Sequence, residues 1–102
     1  MQKGLILKRD EVLAIVKAHQ DQLQKLGVKS LDLFGSVARD EARLDSDVDL
    51  LVEFSKPIGL FGFSEIRLYL EDILGCSVDL GTLDALKEHL REPVLEDIIH
   101  VF

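Results

Sequence analysis

The sequence predicts one small α/β (α+β) domain over residues 1–102, a sheet of a few strands flanked by helices. Three observations carry this expectation. Apolar residues recur at helical spacing in some stretches and at strand spacing in others, in the order α-β-α-β-α-β-α. A chain of 102 residues fits a single core. An apolar fraction of 47% with a mean hydropathy of +0.16 supplies enough burial to offset the ordering entropy that keeps polar chains disordered.

The elements follow in order. From Asp10 to Leu26, the residues Val12, Leu13, Ile15, Val16, His19, Leu23 and Leu26 form a helical stripe, with Gly27 placed to cap it. Val28–Phe34 alternates around Leu31 and Leu33 and reads as a strand, ending at Gly35-Ser36. Val37–Ala42 reads as a short helix. Asp47–Phe54 is the strongest strand pattern and stops at Ser55-Lys56-Pro57. Gly59 and Gly62 are expected to break an apolar loop before a long helix over Phe63–Leu74. Cys76–Leu80 reads as a third strand, Leu83–Leu90 as a helix, and Pro93 as the start of a last short helix running toward Ile99. The pattern does not decide which strands are parallel.

Composition excludes several classes. No apolar run approaches the ~18 residues of a membrane span. The start, Met1 to Arg9, is too short and too soon charged for a signal peptide, so a cytoplasmic location is expected. Cys76 is the single cysteine, which excludes an internal disulfide or a cysteine-based metal cluster. Twelve Lys and Arg against nineteen Asp and Glu leave a net charge of −7, which disfavours direct nucleic-acid binding. The acidic excess suits a cation site or a basic protein partner, and equally suits simple solubility.

The chemistry concentrates in Gly35-Ser36 and in Asp47-Val48-Asp49. Alternation turns Asp47 and Asp49 to one face of a strand, with Cα atoms roughly 6.6 Å apart. Carboxylates held so close repel, and a divalent cation relieves the conflict; oxygen ligands suit Mg2+, which completes its shell with waters and substrate phosphates. Gly35 lets phosphate oxygens approach the backbone at a strand-to-helix turn, and Ser36 adds a hydroxyl donor or acts as a helix cap. Arg39, one turn on, is a candidate for a terminal phosphate, with Arg43 a weaker one; both also read as solvated helix residues. Asp79, on the third strand, shares the metals if that strand neighbours Asp49, and it can take a proton from an attacking hydroxyl. Two metals held by such a triad stabilise the entering and leaving oxygens of an in-line displacement. Turn chemistry is the bland reading of Asp79. His19, His89 and His100 show no metal spacing, Cys76 reads as a small apolar residue, and Asp32 as a sheet-face residue.

The pattern Gly35-Ser36-x10-Asp47-x-Asp49, followed by Asp79, resembles the minimal nucleotidyltransferases of the DNA polymerase beta superfamily. The wording Leu33-Phe34-Gly35-Ser36-Val37-Ala38-Arg39 and Ser46–Phe54 is most similar to the MNT (MntA-type) antitoxins encoded beside HEPN-domain RNase toxins. The resemblance implies a nucleotidyltransferase fold with a small mixed sheet. It implies a hetero-oligomer with a HEPN toxin, two Mg2+ ions, ATP as substrate, and transfer of AMP to a tyrosine hydroxyl of the toxin with release of pyrophosphate. On this reading Gly35 and Ser36, with Arg39, hold the nucleotide, Asp47 and Asp49 bind both ions, and Asp79 completes the second site and activates the acceptor. The alternatives are transfer to a small-molecule hydroxyl and a non-catalytic antitoxin that acts by occlusion. The apolar stretches Pro57–Phe63 and Val94–Phe102 are either core or partner surface.

Overall fold

A computed structural model of the chain describes residues 8–41, 47–82 and 98–102. The helix expected over Leu83–Leu90, the start of the one expected at Pro93, and the residues Arg43, Ser46 and His89 lie outside these. Among the described residues no helix is long and apolar enough to cross a membrane.

The single helix expected over Asp10–Leu26 is two: α1 (Arg9–Ala18) and α2 (Gln20–Lys25). The break has a local cause at His19. Its backbone N–H bonds Val16 O at 3.0 Å, three residues back, while its ring Nδ1 takes Ile15 O at 2.9 Å, the carbonyl a continuous helix would offer the backbone. Val12, Val16 and Leu23 still bury one apolar face across the break. Gly27 follows with φ +106, a left-handed turn that reverses the chain into the sheet.

Among the described residues four strands form the sheet: β1 (Val28–Phe34), β2 (Val48–Phe54), β3 (Val78–Thr82) and β4 (Ile99–His100), in the order β3-β2-β1-β4. β1 runs antiparallel to β2 and to β4, and β2 runs parallel to β3, so the sheet is mixed. The parallel pair requires a crossover, and α4 (Leu60–Leu74) supplies it. α4 begins earlier than the sequence suggests. Gly59 is its N-cap and Gly62 lies in its first turn, where a Cβ would meet Ile58 Cγ2 at 2.8 Å. A side chain at that position would crowd Ile58, so glycine fits there despite its low helix propensity. A short helix, α3 (Gly35–Ala38), leaves the end of β1; it is shorter than the expected Val37–Ala42 element and starts two residues earlier. Ile99 is not the end of a helix: Ile99 and His100 pair with Leu33 and Asp32 as β4.

Leu31 and Leu33 of β1, Leu50 and Val52 of β2, and Val78 and Leu80 of β3 point to one side of the sheet. There they meet Val12 and Val16 of α1 and the stripe Ile66, Leu70 and Leu74 of α4. Each buried aliphatic side chain contributes ~1.5–3 kcal/mol, so this face anchors the strands. Alternation then turns Asp32, Phe34, Asp49 and Asp79 to the opposite face.

Candidate active site

The strand directions bring three chain segments to one rim. Antiparallel pairing sets Phe34, the last residue of β1, opposite Asp49, the second residue of β2; parallel pairing sets Asp49 opposite Asp79. Asp49 therefore sits in the middle, with Gly35-Ser36 on one side and Asp79 on the other. Paired residues on adjacent strands point to the same face, so the two carboxyls face each other.

Gly35 is bound to its position by two constraints. Its φ of +79 is left-handed, and a Cβ there would run into the Asp49 carboxylate, with Asp49 Cγ at 3.0 Å and Asp49 Cβ at 3.2 Å. Any side chain would fill the space where turn and carboxylate meet. Ser36 lies within α3; the N-cap is Phe34, and no side chain caps that helix, which removes the simple capping reading of Ser36. Arg39 closes α3, with its Nε donating to Glu41 Oε1 at 3.0 Å, and its charge acts on Asp49.

Charge crowding is strongest at Asp49. Burial, followed by the negative charges of Asp79 and Asp47, pushes its pKa from 3.8 up to about 6, against the opposing pull of Arg39. Asp47 is exposed just before β2, near enough to act on Asp49. Among the described residues, no three His, Cys, Asp or Glu side chains stand converged at ligand geometry. Strand pairing brings Asp49 and Asp79 together, and Asp47 stands in solvent just before β2. The donor set is entirely carboxylate oxygen, with an open glycine backbone beside it, which fits a hard divalent cation carrying phosphate and does not fit a thiophilic metal. Nearby, burial and the charges of Asp47 and Glu71 push the Cys76 thiol pKa up.

Comparison with known proteins decides the family. The profile of the nucleotidyltransferase domain matches residues 14–101. The chain belongs to the nucleotidyltransferase family. This nucleotidyltransferase is 39% identical over 97 residues to protein adenylyltransferase MntA of Thermococcus cleftensis, a match covering 94% of this chain and 98% of the relative. A solved chain described as a minimal nucleotidyltransferase superposes with a TM-score of 0.77 at 38% identity, covering 91% of this chain and 95% of the other. The same fold recurs, at 18% identity and a TM-score of 0.62, in the structure of a tri-AMPylated Shewanella oneidensis HEPN toxin with its MNT antitoxin; the match covers 88% of this chain and 71% of that one. Nucleotidyl transfer is thus the enzymatic class of the domain.

Two contacts at this nucleotidyltransferase sheet carry no sequence signal. Asp32 Oδ1 accepts a hydrogen bond from His100 Nδ1 at 2.8 Å on the carboxylate face. Glu71 Oε2 accepts the Val78 N–H at 3.0 Å, next to Asp79. Both depend on strand pairing or helix docking between residues whose spacing in sequence means nothing by itself.

Proposed function

We propose that this nucleotidyltransferase is the antitoxin of a HEPN/MNT toxin–antitoxin pair and transfers AMP from ATP to a tyrosine hydroxyl of its HEPN RNase toxin in the cytoplasm. The observation that carries the reading is the Asp49–Asp79 pair, faced by the Gly35 turn on a single rim of the sheet. Gly35 offers backbone beside the Asp49 carboxylate to the triphosphate, Ser36 offers a hydroxyl donor, and Arg39 offers positive charge to the outer phosphates. Asp79 accepts the proton of the tyrosine hydroxyl as its oxygen bonds the α-phosphorus. The bond from the α-phosphorus to the bridging oxygen breaks, and pyrophosphate leaves. Asp47, Asp49 and Asp79 would hold two Mg2+ ions, which when bound supply the positive charge that an in-line phosphoryl displacement requires.

A protein acceptor also suits the surface. Leu60, Phe61 and Leu68 are 83%, 93% and 55% exposed on α4, with Phe61 and Leu68 seven residues apart on the same helix face. Exposed apolar groups clustered in this way favour a protein interface. The MntA relative is named a protein adenylyltransferase, and the AMPylated HEPN toxin of the fold neighbour is the kind of product this reading requires.

The test is the intact mass of a purified HEPN toxin after incubation with the chain, ATP and Mg2+. The expected result is a gain of one or more adenylyl groups, lost when both Asp47→Asn and Asp49→Asn are introduced. Neutralisation of the toxin by the double variant, with no mass gain from the parent chain either, would point to occlusion instead.

A further inference from the structure

Asp79 lies on β3, the outermost strand of the sheet among the described residues, and an edge strand is held on one side only. Its first peptide is an exception. The Ser77 carbonyl accepts the Val48 N–H at 3.0 Å, so the Ser77–Val78 peptide turns its oxygen toward β2. In a trans peptide the N–H points the opposite way, which sends the Val78 N–H to the open edge. There it donates to Glu71 Oε2 at 3.0 Å. The same oxygen accepts Arg67 Nη1 at 3.2 Å, which fixes the carboxylate from the helix side. Glu71 is only 26% exposed, so solvent competes weakly for the bond.

We infer that Glu71 is a positioning residue for the transfer reaction: it clamps the Ser77–Val78 peptide from outside the sheet and thereby holds Asp79 opposite Asp49. This rests on the role given to Asp79 above. Val48 grips one side of the peptide and Glu71 the other, and Asp79 is the next residue. Without the clamp the strand start is free to fray by local opening. A displacement of about 1 Å at a reacting carboxylate is enough to lower a rate by ~100-fold. Gly35 follows β1, two strands away from β3, and makes no part of this clamp.

Two measurements on the full chain test this. In Glu71→Ala, the Val78 amide should exchange with solvent at least ~10-fold faster than in the parent, read by NMR hydrogen exchange. The kcat for AMP transfer to a purified HEPN toxin should fall ~10–100-fold while the KM for ATP stays within ~3-fold. Glu71→Gln keeps an oxygen acceptor and should restore both the protection and most of the rate. Glu71→Asp, one methylene short, repeats the loss with the least disturbance to packing if the alanine variant does not fold. Unchanged Val78 exchange, an unchanged kcat, or a glutamine variant as slow as the alanine one would overturn the clamp. A parent chain that leaves the toxin unmodified would sink the functional reading instead, and the exchange comparison would still decide the role of Glu71.

Discussion

Asp49→Asn should make the metal-free protein more stable while abolishing its activity. Burial and the charges of Asp79 and Asp47 raise the Asp49 pKa from 3.8 to about 6, which at full weight corresponds to ~3 kcal/mol against the ionised form. Solvent reaches this half-buried group, which discounts the figure to about 1–2 kcal/mol. The sign follows from linkage. A carboxyl whose folded pKa is raised contributes stability that is fully present below the unfolded value of 3.8 and is lost as pH rises through about 6. Asparagine does not ionise, so the variant keeps that stability at pH 8. For a domain of this size, Tm should rise by about 5–10 °C at pH 8 in EDTA and by a degree or two at pH 4. Thermal unfolding followed by circular dichroism reads both. A variant no more stable than the parent at pH 8, or an advantage of equal size at both pH values, would refute the charge-crowding reasoning. Adding Mg2+ should stabilise the parent, because a cation bound to the folded state alone shifts the equilibrium toward it, and should leave the variant nearly unmoved.

Gly35→Ala places a methyl group against the Asp49 carboxylate at a φ of +79, and should destabilise the fold by about 1–3 kcal/mol in urea unfolding and abolish ATP binding in a calorimetric titration. Asp79→Asn should lower AMP transfer ~100-fold or more, read by intact mass of the toxin, with no loss of Tm. Phe61→Ser with Leu68→Ser should weaken the HEPN toxin complex at least ~10-fold by calorimetry and change unfolding stability by less than ~1 kcal/mol, since both side chains are solvent-exposed in the isolated chain. Leu50→Ala, in contrast, empties part of the enclosed core and should cost ~2–5 kcal/mol of stability.

Most of the candidate site was legible in the chain because its residues fall in two short local motifs. Gly35-Ser36 ends a strand whose bounds, Val28–Phe34, follow from simple alternation, and Asp47 and Asp49 introduce the strongest apolar run. The family resemblance rested on those same residues. What alternation does not record is which strands become neighbours. Asp79 opposite Asp49 depends on β3 pairing with β2 in parallel through α4, a choice made by burial of Ile66, Leu70 and Leu74 against the sheet. β4 was hidden for a related reason: its two residues carry no alternation of their own, and their pairing with Asp32 and Leu33 spans most of the chain. The break at His19 follows from a ring hydrogen bond, and the helical Gly62 from crowding by Ile58 that leaves no room for a side chain; propensity records neither. The bond from the Val78 N–H to Glu71 had no signal, because a backbone donor leaves no mark on the sequence.

A crystal structure with Mg2+ and a non-hydrolysable ATP analogue bears most directly on where the chemistry happens. The expected density places the triphosphate against Gly35 and Ser36, with metal between the Asp49 and Asp79 carboxylates at about 2.0–2.1 Å from their oxygens. Nucleotide bound on another face of the sheet, or metal that leaves both carboxylates uncoordinated, would contradict the assignment.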